Sequence, residues 1–355
     1  MADKYIGFDE LVEIMIKALV NVGVPEADAA ICADVLIEAD KHGFDSHGIN
    51  RLKPIYVDRI NAGILNPVTE IEIVKETPTT VVLDGHNGMG MVVSNKALDM
   101  IIEKAKTYGI AMGVVRNSTH YGFAGYYPLK AVKHGLIGIT GTNARPSIAP
   151  TFGVENMLGT NPLTFGFPTD EDFPFLLDCA TSVTQRGKIE AYARSGKPPP
   201  DGLVVGQDGK AVTDSVEILE RLTAGTAAFA PLGGIGEDNG GYKGYGYATV
   251  VEILSAALSA GSFLKALSGF DENGNKIPYP LGHFFIVSDP EAFCGLESFK
   301  KTTGDILRAL RNSKKAPGQD KIYTAGEKEF IIYEERQKTG LLINDSIQAD
   351  SEAVR

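Results

Sequence analysis

The segment Asp45-Ser46-His47-Gly48-Ile49-Asn50-Arg51 places a histidine, two oxygen-bearing neighbours and an arginine close together. Histidine is the side chain that gives and takes protons near neutral pH. A neighbouring hydroxyl or carboxylate can hold its ring for general acid–base work. Arg51 stands four residues beyond His47 and would share its side of a helix. A guanidinium can grip a carboxylate with two parallel hydrogen bonds. A proton donor beside a carboxylate clamp is the minimal kit for a 2-oxo acid whose carbonyl carbon accepts a hydride. Spacing alone leaves a second reading open, in which Ser46 caps a helix and His47 is incidental.

Four further segments carry usable chemistry. Ser118-Thr119-His120-Tyr121-Gly122 follows an apolar run, and a polar cluster at a strand's carboxyl end is a common ligand location. His120 is a second acid/base candidate or a hydrogen-bonded turn residue. Gly159-Thr160-Asn161-Pro162 offers a hydroxyl beside a glycine, which turn chemistry explains equally well. Leu177-Asp178-Cys179-Ala180-Thr181-Ser182 ends on an acid able to accept from a ribose, or to cap a turn. Gly240-Gly241-Tyr242-Lys243-Gly244 surrounds one lysine with glycines just before a helix, a pattern for an anion cradle or a flexible turn.

These residues need elements to hold them. Apolar residues at helical spacing predict helices over 8–21, 25–40, 92–108, 126–133, 245–260 and 293–311. Strands are predicted at 71–74, 80–83, 109–115, 136–140, 164–167, 175–177 and 283–287. The last dozen residues are polar and are expected to fray. Helices and strands alternate, so the fold class is α/β or α+β. No internal repeat marks a solenoid.

Composition narrows the function classes. The 355 residues carry a net charge of −11, which disfavours nucleic-acid binding through the overall field. The three cysteines are odd in number and form no CxxC pair, so neither a disulfide framework nor a metal site is expected. Cys179 and Cys294 read as small core residues. The first residues lack a basic stretch leading into an apolar run, and no segment approaches the roughly 18 apolar residues of a membrane span. A cytoplasmic protein without a membrane partner is expected. Gly88-Met89-Gly90 and Gly234-Ile235-Gly236 both lack the third glycine of a Rossmann fingerprint. P-loop, HExxH and GxSxG patterns are absent.

In combination and in this order, the motifs DSHGINRL (45–52), STHYGFAGYY (118–127), MLGTNPLTF (157–165), LDCATS (177–182), GGYKGYG (240–246) and AGEKEF (325–330) resemble the malate/L-lactate dehydrogenase family that lacks the Rossmann fold. The resemblance runs from about Phe8 to Glu327. It implies a family-specific α/β fold binding NAD or NADP, flanked by N- and C-terminal helices. It implies a small 2-oxo or 2-hydroxy acid substrate, malate or L-lactate foremost, no metal, and a homodimer or assembly of dimers. A helical substrate and dimer domain is expected over 1–80 with 300–355, and a central cofactor domain over 81–299. Carried over by residue, the resemblance makes His47 the proton donor beside Ser46, with His120 its rival or partner. Arg51 would bind the substrate carboxylate and Thr160 would line the pocket. Asp178, Cys179, Ala180 and Thr181, with Tyr242 and Lys243, would meet the cofactor, as would Gly326 and Glu327.

The chain departs from relatives in places. Ala325 stands where a proline is frequent, and the stretch Leu52-Lys53-Pro54-Ile55-Tyr56 is about one residue longer than in some relatives, which leaves Tyr56 without a clear role. Arg145 sits in a variable loop, where a second positive group would suit a dicarboxylate. The alternatives are ureidoglycolate, sulfolactate or a cyclic imino acid as substrate, or a nucleotide-binding protein without catalysis.

Overall fold

The computed structural model describes residues 4–343, so the expected fraying of the last dozen residues lies outside the described part. In chain order the elements open with β1 (Lys4–Ile6), α1 (Phe8–Asn21) and α2 (Glu26–Lys41). A short 3-10 turn (Ile49–Arg51) runs into a π-helical stretch (Leu52–Val57) and α3 (Asp58–Asn61). Then come β2 (Glu72–Glu76), β3 (Thr80–Asp84), α4 (Gly90–Tyr108), β4 (Ile110–Ser118), α5 (Tyr126–Lys133) and β5 (Ile137–Thr142). Strands β6 (Leu163–Phe167) and β7 (Phe175–Cys179) precede α6 (Arg186–Ser195), β8 (Val204–Gly206), α7 (Ser215–Ala224) and β9 (Ala227–Phe229). The chain closes with α8 (Gly241–Ala256), β10 (Leu281–Ser288), α9 (Leu296–Arg311), α10 (Glu327–Thr339) and β11 (Leu341–Ile343).

The chain forms two compact units, one of residues 1–140, 164–178 and 285–355, the other of 141–163 and 179–284. These bounds differ from the expected 1–80 with 300–355 and 81–299. The physical reason is that α4 packs on α2 and on β4, which ties residues 81–140 to the N-terminal hairpin.

In the first unit, α1 buries Leu11, Ile14, Met15, Ala18 and Leu19 against α2, one apolar stripe as its spacing requires. The sheet orders its strands β2-β3-β4-β10-β5-β6-β7. Strands β2 and β3 are antiparallel, whereas β3 and β4 are parallel with Leu83 beside Val115. Helix α4 bridges that parallel pair and stops at Gly109, whose φ of +85° is the left-handed conformation that ends helices. Strand β1 pairs antiparallel with β11, joining the two ends of the described chain.

The second unit packs Ile148, Leu158, Ile189, Val204, Ile218, Phe229 and Ala248 into its own core. Helix α7 is capped by Asp214, which accepts from the Glu217 N–H at 2.8 Å. Sequence periodicity had not predicted α6, α7 or α10. Helix α8 begins at Gly241 rather than Tyr245, so Lys243 lies in its first turn and not ahead of it. Of the cysteines, only Cys32 is buried. Cys179 is half-buried and Cys294 is exposed, so neither is a core residue as expected.

Candidate active site

The first unit assembles its polar site where the end of α2 meets the end of β4. Beyond Lys41 the chain turns at Gly43 (φ +82°), and Phe44 packs on Phe123 with ring centroids 4.6 Å apart. That contact holds the 45–51 loop beside the 118–123 segment. On the second side, Gly90 donates its N–H to Thr119 Oγ1 at 3.0 Å, and Thr119 donates to the Gly88 carbonyl at 2.8 Å. A Cβ on Gly90 would collide with the Thr119 carbonyl, so this glycine serves close packing of the segment that carries His120.

His47 and His120 lie ring against ring, with centroids 5.9 Å apart and planes 15° from parallel. Ser46 Oγ is 2.8 Å from His47 Nδ1. Ser46 therefore fixes the imidazole instead of capping a helix, and the N-cap position of the 3-10 turn that starts at Ile49 falls on Gly48, which has no side chain to cap with. Burial, and secondly the charge of Arg51, push the His47 pKa down to about 4. Its imidazole is neutral at pH 7.

Tyr56 Oη lies 2.7 Å from His120 Nδ1, and the Gly122 N–H reaches the same nitrogen at 3.2 Å. A backbone N–H can only donate. Nδ1 must accept, and the neutral ring then carries its proton on Nε2. Tyr56 is fully buried. Sequence reading left it without a role because its partner is 64 residues away.

Arg51 gives its Nε to the Ser46 carbonyl. Among the described residues its guanidinium meets no carboxylate. The pair of histidines, one arginine without a counter-ion and a buried tyrosine thus stand together in one unit.

The remaining candidates fall into separate places. Asp178 is on β7 in the first unit, where its carboxylate accepts from the Gly125 N–H at 2.7 Å and from Thr164 Oγ1 at 3.1 Å. Burial raises its pKa to about 6. Gly326 caps α10 at φ +92°, and a Cβ there would meet the Pro174 carbonyl at 2.6 Å. Glu327 is buried, which by itself favours the neutral acid, but Lys321 at 2.6 Å, the Thr324 N–H and Arg311 outweigh that and hold its pKa below the usual range. Packing and ion pairing account for both residues locally.

In the second unit, Thr160 and Thr181 are joined through the Thr160 carbonyl, which accepts the Thr181 N–H at 3.0 Å. Cys179 and Ala180 are half-buried just ahead of them. Lys243 and Tyr242 are exposed, the ammonium 5.7 Å from the ring centroid. A Cβ on Gly241 would strike the Gly234 carbonyl, and one on Gly244 the Leu232 carbonyl, so these glycines let α8 pack on its preceding loop. Arg145 is exposed, bonded through Nε to the Ser268 carbonyl at 3.0 Å, with its guanidinium 5.1 Å from the Phe270 ring centroid. Two buried hydroxyls next to the Asp178–Thr181 stretch, Ser182 Oγ and Thr184 Oγ1, have no hydrogen-bond partner among the described residues. Buried polar atoms of this kind call for a ligand or water. They fit a ribose or phosphate.

One grouping of metal-capable side chains lies apart from the histidine pair. Glu72, Asp84 and His86 bring their ligand atoms within 4.8 Å of one another. The Asp84 carboxylate already takes Arg116 Nε and Asn117 Nδ2, both at 2.8 Å, so ion pairing accounts for the cluster.

The family profile described as malate/L-lactate dehydrogenase matches residues 6–350. Malate dehydrogenase of Pyrococcus horikoshii is 43% identical over 335 residues, which is 94% of this chain and 90% of that protein. L-sulfolactate dehydrogenase of Methanocaldococcus jannaschii is 40% identical, covering 89% of this chain and 87% of its own length. The crystal structure of malate dehydrogenase from Entamoeba histolytica superposes with a TM-score of 0.94 at 46% identity, covering 99% and 97% of the two chains. With a stacked histidine pair beside Arg51, on a fold shared along nearly its whole length, this chain belongs to the malate/L-lactate dehydrogenase family.

Proposed function

We propose that the protein interconverts a small 2-hydroxy acid and its 2-oxo acid using NAD or NADP, with malate and oxaloacetate as the preferred pair. The observation that carries this reading is the His47–His120 stack beside Arg51. When bound, the nicotinamide supplies or takes the hydride. The stretch Asp178–Thr181, Tyr242, Lys243 and the Gly326-Glu327 turn are the residues proposed to hold it, with the partnerless Ser182 and Thr184 hydroxyls as additional contacts.

The chain's own residues handle the charge and the proton. Arg51 pairs with the substrate carboxylate, and Thr160 lines the pocket. In the oxidative direction a neutral His47 accepts the hydroxyl proton, oriented by Ser46. His120 presents Nε2–H to the same oxygen, its tautomer set by Tyr56 and Gly122. In the reductive direction the proton returns to the developing alkoxide. A bound carboxylate would cancel the Arg51 charge that helps depress the His47 pKa, easing its protonation when substrate is present.

Arg145 is proposed to read the second anionic group of the substrate. Either a carboxylate or a sulfonate suits it, and the sulfolactate dehydrogenase relative keeps the second reading in play. The test is a panel of malate, lactate, sulfolactate and ureidoglycolate with both cofactors, followed by the absorbance of reduced nicotinamide. Malate turnover above the others supports the proposal. No turnover on any member, with cofactor still bound, overturns it. Arg145→Ala should raise KM for oxaloacetate much more than for pyruvate, whereas equal losses would remove Arg145 from specificity.

We also propose a homodimer or an assembly of dimers in the cytoplasm. Helix α8 is apolar on both sides, burying Ala248 and Val251 inward while Tyr242, Tyr245, Tyr247, Val250 and Ile253 face outward. The same surface borders a cavity of about 620 Å³ lined by Met157, Leu158 and Phe263. An exposed run of large apolar side chains on one helix face marks a surface for contact with another chain. No helix among the described residues is long and apolar enough to cross a membrane.

A further inference from the structure

Asp40 stands at the end of α2, 2% exposed, and none of the chemistry above uses it. Its Oδ2 accepts the Ile49 N–H at 2.8 Å, inside the loop that carries His47. Burial pushes the Asp40 pKa up to about 7 against the lowering by the Ile49 N–H, so the carboxyl spends its desolvation on holding that backbone in place. Directly against it lies Gly48, where a Cβ would overlap the Asp40 carboxylate. A side chain at position 48 would therefore have to displace the carboxylate from the Ile49 N–H. From the other side, Arg336 on α10 donates to the Asp40 carbonyl and forms a two-pronged pair with Asp45, its Nη2 at 3.1 Å. The loop is thus pinned at both ends of the Asp45–Ile49 span by partners that do not touch the imidazole.

We infer that Asp40 is a positioning residue for the His47 loop, acting through the Ile49 N–H and through the space that Gly48 leaves for its carboxylate. Arg336 acts with it by clamping Asp45. The inference rests on the reading of His47 as the proton-transfer group only for its catalytic consequence. Its structural content stands separately.

The experiment follows the His47 imidazole by NMR titration of histidine-labelled protein, alongside kcat and cofactor affinity. In Asp40→Ala the loop should lose its anchor and His47 should gain water. Its midpoint, about 4 in the native protein, should move by a unit or more toward the solvent value of about 6.5. The kcat should fall on the order of tenfold to a hundredfold, as displacement of a catalytic group by about an ångström does, with cofactor affinity little changed. Asp40→Asn keeps an acceptor for the Ile49 N–H and should recover most of both. A folded Asp40→Ala with an unmoved His47 midpoint overturns the inference. A moved midpoint with native kcat upholds it and removes His47 from the proton transfer instead. Gly48→Ala is a second probe, read alone where Asp40→Ala does not fold and also in combination with it where it does. It should shift the same midpoint in the native background and add little further in Asp40→Ala, since the obstructing carboxylate is gone. A Gly48→Ala protein with a native midpoint, or a shift fully additive with Asp40→Ala, overturns the inference.

Discussion

At the scale of single residues, the candidate site pairs two histidines whose rings are held by different partners. His47 is neutral because burial and Arg51 oppose its charge. His120 has its tautomer set by what meets Nδ1. Replacing His47 by Ala should remove most of kcat while leaving NADH binding intact, measured by turnover and by fluorescence titration. Near-native turnover would reject His47 as the proton carrier. The pH profile follows from the sign of its shift. The base form is present above about pH 4, so in the free enzyme the oxidative kcat/KM should hold as pH falls below the ordinary histidine range and drop only toward that value. The cluster of Ser46, His47 and Arg51 was visible in the sequence from residue type and close spacing, but spacing alone left the cap reading open and only the accompanying family motifs favoured the chemical one. Tyr56 and Asp40 were not visible, because a hydrogen bond between residues far apart in the chain leaves no local pattern.

At the scale of elements, the stretches with one clean apolar stripe were legible nearly to the residue. Helix α1 spans Phe8–Asn21 as its spacing predicts, and α5 spans Tyr126–Lys133. Helices α6 and α10 were not legible, since each buries a single residue and has a mean composition too polar to show a stripe. Several glycines in the candidate ligand segments also serve packing. Gly326 is the sharpest case, with a positive φ and the Pro174 carbonyl where its Cβ would be. Gly326→Ala should therefore cost about 1–3 kcal/mol of stability from backbone strain, with any clash adding to it. A lowered urea midpoint at unchanged m-value would show this, and an unshifted midpoint would contradict it.

At the scale of the whole molecule, family membership explains the absence of a Rossmann fingerprint in a nicotinamide-dependent family. Connectivity also explains why the unit boundaries were hidden. The chain passes between its two units within β5, at the start of β6, at the end of β7 and within β10, so no linker of unusual composition marks the crossings. The outward face of α8 carries the prediction at this scale. Val250→Glu with Ile253→Glu should shift the protein to a smaller species in sedimentation, because two charges per copy would be trapped in the proposed interface. An unchanged sedimentation coefficient would place the contact between copies elsewhere.

The π-helical stretch Leu52–Val57 bears on how this site could change over time. A π turn holds one more residue than an α turn. Tyr56 sits inside it, so its hydroxyl reaches His120 only while that surplus residue is accommodated. Deleting one residue between Arg51 and Tyr56 would tighten the turn and rotate the tyrosine by about 100° around the helix axis. The ring against His120 is in this sense set by a length and not by a residue type. Relatives with a shorter stretch could fill that place with a different side chain while leaving both histidines untouched.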